Sequence, residues 1–388
     1  MPRYCRCVVK RALVFSSVLL VSTAACTSGS GGTTEPVPTA TEPATTATTI
    51  APPEPTTTAT LAPPEATGPA TTVPQPTTTA APAPTTTLAF PPADPPLDGP
   101  ASIREAIDSG TLMNVAHAGG DQDAPHSTMF AFREATKAGA NAIELDVQLT
   151  ADGVLIVQHD DTVDKTSNET GSVIDRTLAE MQALDNAYWF SPECWPCQDR
   201  PTEEYIYRGV RTGDTPPPDG YSPEDFRVLT FREVAEAFPE LVLNIEIKGS
   251  FPAAIPVAEQ LAVEIVELGR ADSVIVVSFN DQLTAAFREL APDVAVSPGL
   301  GMLIDWFFNG TPLDPAFEVL QLPIAQGDLE VLTAETVQRV HEEGRIVWAW
   351  ADDAQAQENE ATYRTLLDVG VDGIIAGRPA DMAAAIDT

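Results

Sequence analysis

The stretch IELDVQLTADGVLIVQHDD, residues 143–161, alternates apolar and polar side chains before a turn, a second apolar run, and a histidine followed by two aspartates. With Ala142 in front, AIELDVQL reads as a β-strand that carries Ile143, Leu145 and Val147 on one face and Glu144, Asp146 and Gln148 on the other. LVLNIEIK, residues 241–248, repeats the pattern, with Leu243, Ile245 and Ile247 opposite Asn244, Glu246 and Lys248. At the surface of a half-exposed sheet, such polar faces meet water. In a parallel barrel the outer face is covered by helices, so the polar sets must point inward. The rest of the chain decides between the two.

Short runs rich in Val, Ile and Leu recur from about Leu97 onward: LMNVAH, AIELDVQL, LVLNIEIK, SVIVVSF, DVAVSP, VLQLPIA, RIVWAWA and DGIIAG. Helical periodicity falls between most of them, over 127–138, 230–238, 254–268, 281–290, 333–343 and 358–368. Eight strands with intervening helices predict an α/β fold, a (β/α)8 TIM-like barrel. A doubly wound open sheet is the competing arrangement, but its glycine-rich GxGxxG turn is absent from the sequence. Residues 161–228 break the alternation and are predicted to form an ordered insertion after the second strand. Tyr188, Trp189, Phe190 and Trp195 gather there around Cys194 and Cys197, whose CWPC spacing is read as a local disulfide.

The N-terminus has its own logic. Arg3, Arg6, Lys10 and Arg11 precede an uncharged run from Ala12 to Ala25, the layout of a secretory leader. That run is shorter than the roughly 18–20 residues of a membrane span. It ends LLVSTAAC, which resembles a bacterial lipoprotein cleavage box with Cys26 as the lipidated residue. The expected organisation is therefore a signal peptide over 1–25, a Thr/Pro/Ala-rich disordered linker over 26–97 and a catalytic domain over 98–388. The linker has too few large apolar groups to offset the entropy of ordering it, and serves as a stalk. The expected location is secreted and lipid-anchored, on the outer face of the cell membrane. A formal net charge of −35 argues against nucleic acid as a partner, and loss of the basic leader makes the chain more acidic still.

Carboxylates crowded at a barrel mouth repel one another and lose hydration, so something must neutralise them. Glu144, Asp146 and Glu246 form a hard oxygen set suited to a divalent cation, Mg²⁺ or Ca²⁺. A metal-free cluster held by salt bridges is the alternative. The chain has only four histidines. His117 ends the first strand, and His159 follows the second by way of a short turn, so both reach the same mouth. Two imidazoles there supply a base and an acid for transfer at phosphorus. His341 reads as a surface residue, and His126 is left unassigned. GxSxG, HExxH and GxxxxGK motifs are absent from the sequence.

These residues together resemble the glycerophosphodiester phosphodiesterase family over about residues 112–386. The likeness rests on GANAIELDVQLTADGVLIVQHDDTVDKTSNETGSV, LNIEIKG, the VSF strand and VWAWADD…LLDVGVDGIIAGRP, four motifs in the family's order. The resemblance implies a TIM-like barrel with an insertion and metal-dependent cleavage of a small-molecule or lipid phosphodiester. It implies Glu144, Asp146 and Glu246 as metal ligands and His117 and His159 as the acid/base pair. Lys248 corresponds to a lysine that approaches the phosphate, and Trp350 to an aromatic residue of the site wall. Two departures stand out. The family's His-Arg-Gly is here His117-Ala118-Gly119, and its Pro-Glu-Asn-Thr is Pro125-His126-Ser127-Thr128. The related sphingomyelinase D proteins also lack the arginine, so a lyase forming a cyclic phosphate is one alternative. A non-catalytic barrel that binds phosphorylated ligands is the other.

Overall fold

Eight parallel strands carry the alternation into three dimensions, in a computed structural model that describes residues 90–92, 99–192 and 197–387. The leader, most of the linker, Cys26, Cys194 and Trp195 lie outside the described residues. The strands are β1 (Met113–Ala116), β2 (Ala142–Leu149), β3 (Leu155–Val157), β4 (Val242–Ile247), β5 (Val274–Val277), β6 (Ala295–Val296), β7 (Val319–Pro323), β8 (Ala325–Gln326), β9 (Leu329–Glu330), β10 (Ile346–Trp350) and β11 (Gly373–Ala376). The barrel runs β6-β5-β4-β2-β1-β11-β10-β7. It is nearly closed: the seam between β6 and β7 has no strand ladder, but Ser297 Oγ donates to Val319 O across it at 3.0 Å. β3 pairs antiparallel with β2, and β8–β9 is a separate two-stranded hairpin.

All eight expected barrel strands are present, one or two residues shorter at their ends, apart from β2, which matches its predicted run. Helices Met129–Lys137, Phe231–Ala237, Ile255–Glu267, Asp281–Leu290, Ala334–Glu342 and Glu360–Val369 occupy the six periodic stretches. Several begin at a Thr or Asn whose side chain accepts a first-turn backbone N–H, as for Thr128, Thr230, Asn280 and Asn359.

The two faces of each strand part as the barrel requires. Ile143, Leu145, Val147, Leu243, Ile245 and Ile247 pack outward in the main core with Met129, Val234, Leu261 and Ile265 of the surrounding helices. Inside, Met113, Val115, Ala142, Val242, Ile275, Val319, Trp348 and Ile375 form a second cluster, joined at the strand starts by Ile103 and Ala106 of the helix Ile103–Ser109. Above it, Asn244 and Gln321 exchange side-chain hydrogen bonds of 3.1 and 2.8 Å across the interior. Glu144 is level with Asn244, and Asp146 is level with Glu246. The interior is thus apolar at the strand starts, neutral-polar in the middle and charged at the C-terminal ends.

The insertion has its own small cores. Ile156, Val163, Val173, Leu178, Met181, Leu184 and Val228 form one. In the other, Phe130 of the helix Met129–Lys137 meets Tyr207, Tyr221 and Phe226 with ring centroids 4.7–5.0 Å apart. Arg208 lies over the rings of Tyr188 and Tyr205 at 4.1 and 4.0 Å, with Trp189 at 4.8 Å. Cys197 is disulfide-bonded. Within the range expected as linker, Phe90 lies 5.0 Å from the Arg227 guanidinium and Pro91 O accepts from Arg133 Nη2.

Candidate active site

The C-terminal ends of β1, β2 and β4 bring the predicted residues together. Glu144, Asp146 and Glu246 each offer a carboxylate oxygen, all within 4.8 Å of one another. Asp146 is 1% exposed, and neither of its oxygens has a hydrogen-bond partner; its nearest cation is Lys248, with Nζ 3.5 Å from Oδ1. A fully buried carboxylate left in that state is costly unless a cation balances it. Lys248 also pairs with Glu246 Oε1 at 2.9 Å, and its own pKa is raised: burial works against the charge, but Asp146 and Glu246 outweigh it. One lysine does not neutralise three acids. Burial, followed by repulsion from Asp146, pushes Glu144 up to about 8, and burial raises Glu246 as well. The donor set fits a hard divalent cation such as Mg²⁺ or Ca²⁺.

Both predicted catalytic histidines border this cluster, and each is held by an aspartate. His117 Nδ1 lies 3.2 Å from Asp121 Oδ1. Burial lowers the affinity of His117 for its proton, but the charges of Asp121, Glu144 and Asp146 prevail and raise it well above 6.5. His159 Nδ1 lies 3.3 Å from Asp160 Oδ1, which Lys165 of the insertion also contacts at 2.6 Å. Its Nε2 is 3.2 Å from Lys248 Nζ. The two effects on His159 oppose each other, since burial and Lys248 disfavour the proton while Asp146 and Asp160 favour it, and the net direction is upward. The lysine contact requires a lone pair on Nε2, so the Nδ1–H tautomer facing Asp160 makes both contacts at once.

Several residues are placed around the site by backbone torsion or tertiary approach. Ala118, where the family pattern has arginine, adopts φ 45° and presents its N–H to Glu144 Oε2 at 2.7 Å. Ser127 has φ 58° and donates its N–H to Ala118 O at 2.8 Å, so two non-glycine residues in the left-handed region brace each other. His126 is not peripheral. It is buried, with Nδ1 2.9 Å from Ser127 Oγ, and burial followed by the charge of His159 pushes it down to about 4. Gln148 Nε2 lies within hydrogen-bond reach of the carbonyls of Gln158, His159 and Asp160, which fixes the histidine loop. Glu358 accepts from Gly377 N at 2.8 Å and from the Tyr363 hydroxyl, and burial raises it to about 7. A Cβ on Gly377 would stand 2.6 Å from Asp121 Oδ1 and 3.1 Å from Glu358, so this approach needs glycine. Trp350 ends β10 at the mouth and meets Phe279 edge-on, centroids 5.8 Å apart. Asp161 is exposed and contributes its main-chain carbonyl to Val173 N, and His341 bonds Asp372 at 2.9 Å.

These charges imply a titration pattern. In chelator-treated protein, ring-nitrogen NMR should find His117 and His159 titrating above 6.5 and His126 near 4. Adding Mg²⁺ or Ca²⁺ cancels the carboxylate field that favours the imidazolium forms, so the first two should move down and His126 little. A His117 that titrates below 6.5 and ignores the cation contradicts the arrangement.

A model of the glycerophosphoryl diester phosphodiesterase family matches residues 117–381. A Bacillus subtilis (strain 168) protein named glycerophosphodiester phosphodiesterase is 27% identical over 288 residues, 72% of this chain and 88% of that one. The fold is that of a Mycobacterium tuberculosis glycerophosphoryl diester phosphodiesterase domain, with a TM-score of 0.53 at 19% identity over 71% of this chain and 98% of that one. It is also that of an Oleispira antarctica phosphodiesterase solved with its product sn-glycerol-3-phosphate, with a TM-score of 0.51 at 20% identity over 73% and 99%. The matched span begins at His117, covers more than half of the chain and contains every site residue described above, and the chain belongs to the glycerophosphoryl diester phosphodiesterase family.

Proposed function

We propose that this protein is a metal-dependent phosphodiesterase that hydrolyses glycerophosphodiesters or related lipid head-group phosphodiesters at the cell envelope. The observation that carries this reading is the convergence of His117 and His159 on one mouth with the Glu144, Asp146 and Glu246 carboxylates. Family membership supports the reaction class.

A divalent cation held by Glu144, Asp146 and Glu246 would stabilise charge on the non-bridging phosphate oxygens. Lys248, the ammonium nearest that cluster, balances the remaining phosphate charge. His117, whose imidazolium form Asp121 favours through Nδ1, is the acid that protonates the leaving alkoxide. His159 faces an ammonium through Nε2 and is the base that takes the proton of the attacking oxygen, with Asp160 steadying its Nδ1–H. Asp121 and Asp160 act as positioning residues. The loss of a guanidinium at Ala118 leaves room for a second reading of the same site, attack by an adjacent substrate hydroxyl to give a cyclic phosphate.

Phosphorus NMR of the products from glycerophosphocholine tests the reaction. The wild type should give an open phosphomonoester, and His117→Ala and His159→Ala should each lose roughly 10²–10⁴-fold in rate. A substrate with a p-nitrophenolate leaving group should rescue His117→Ala but not His159→Ala. Turnover that survives both substitutions refutes the mechanism, and a cyclic product signal identifies the second reading.

The envelope location rests on the basic leader and on Cys26. Cys26→Ala should move the protein from the membrane fraction to the soluble extracytoplasmic fraction. Unchanged membrane association of that variant removes the lipid anchor.

A further inference from the structure

One buried acid at the mouth takes no part in the mechanism above. Glu358 follows the short helix Ala354–Gln357 in the connection after β10 and is only 7% exposed. Its Oε2 accepts from the Gly377 N–H at 2.8 Å and from the hydroxyl of Tyr363, a fully buried residue of the helix Glu360–Val369. The Tyr363 oxygen in turn accepts the Arg378 N–H at 3.3 Å. Gly377 and Arg378, just past the end of β11, are also held from the other side. Gly377 O accepts the Gln122 N–H at 3.1 Å, and Arg378 Nη1 pairs with Asp123 Oδ1 at 2.9 Å. The connection after β10 and the loop after β1, remote in sequence, therefore grip one dipeptide between them.

Asp121 sits inside this grip. Its Oδ1 is the partner of His117 Nδ1, and its Oδ2 lies 3.3 Å from Gln122 Nε2. A Cβ placed on Gly377 would stand 2.6 Å from Asp121 Oδ1, 2.9 Å from Gln122 Cγ and 3.1 Å from Glu358 Cδ, so all three side chains pack against one Cα. The position of Gly377 thus limits where the Asp121 carboxylate can lie. We propose that Glu358 is a positioning residue for His117: by anchoring Gly377 it fixes Asp121 at the place from which Asp121 orients the imidazole. This rests on the reading of His117 as the acid, given above, and extends it to a residue that does not touch the substrate. A contact that only supported the fold would slow every substrate alike, whereas one that acts through His117 slows those whose leaving group needs a proton. Burial pushes Glu358 up to about 7, so much of the carboxyl is uncharged at neutral pH, and Gln copies both its shape and its acceptor oxygen.

The test uses the full chain with Mg²⁺ or Ca²⁺, glycerophosphocholine, and the analogue in which p-nitrophenolate replaces the choline alkoxide. On glycerophosphocholine, Glu358→Ala should lose roughly 10- to 100-fold in kcat with KM little changed. On the analogue, whose leaving group needs no proton, it should lose far less. Glu358→Gln should stay close to the wild type on both substrates, and His117→Ala/Glu358→Ala should be no slower than His117→Ala alone. A wild-type kcat for Glu358→Ala, an equal loss on both substrates, a Glu358→Gln as slow as Glu358→Ala, or additive losses in the double variant overturns the positioning role. Should Glu358→Ala fail to fold, Glu358→Asp, whose carboxyl is withdrawn by one methylene, is measured in its place, and an unchanged kcat there overturns the proposal as well. The response of His117→Ala separates the two readings. If the analogue does not rescue His117→Ala, the acid assignment fails and this inference falls with it. If it rescues His117→Ala but not Glu358→Ala, the acid assignment stands and the role of Glu358 alone is refuted.

Discussion

Three carboxylates crowded inside a barrel end are the constraint on which the site depends. Glu144, Asp146 and Glu246 lie within 4.8 Å of one another where water is largely excluded, an arrangement that raises proton affinity and demands positive charge. Nearby features answer that demand. Lys248 inserts between two of the acids, the left-handed turn at Ala118 turns an N–H toward Glu144, and the same field raises the proton affinity of the His117 and His159 imidazoles. Asp146 remains without a hydrogen bond at the centre, which is the strongest sign that a cation completes the cluster. A chain as acidic as this one handles a phosphate through local charge, against its overall field.

The barrel was legible because period-two alternation persisted on strands that also needed a covered outer face. In AIELDVQL and LVLNIEIK the apolar columns pack against helices and the polar columns converge, as the barrel reading required. The proximity of the three carboxylates and the two histidines followed from strand ends and from the short turn at Gly153. Other parts of the site depend on backbone torsions or on tertiary approach, which composition and spacing do not encode. Ala118 and Ser127 contribute through left-handed backbone, Gly377 through the absence of a side chain, and Asp121 and Glu358 through contacts made only once β1 and β11 are adjacent.

The two departures from the family pattern are structurally linked. The hydrogen bond between Ser127 N and Ala118 O ties the segment holding His126 to the position where an arginine is missing. His126 lies in the field of His159, Asp121, Asp160 and Asp146 and is held neutral by burial, so the exchange replaces charge with a neutral hydrogen-bonding ring. The insertion reaches this region through Lys165, whose contact with Asp160 couples it to the orientation of His159. Opposite, Phe279 and Trp350 meet edge-on at the end of β10.

The central claim is that the carboxylate cluster holds a divalent cation, and calorimetric titration of Mg²⁺ or Ca²⁺ into chelator-treated protein tests it most directly. Because Glu144 is pushed up to about 8 in the metal-free site, binding at neutral pH must release protons, seen as heats that scale with the ionisation enthalpy of the buffer. The account predicts binding at a single site with proton release, both lost in Asp146→Asn. Buffer-independent heats, or binding that Asp146→Asn leaves intact, contradict it.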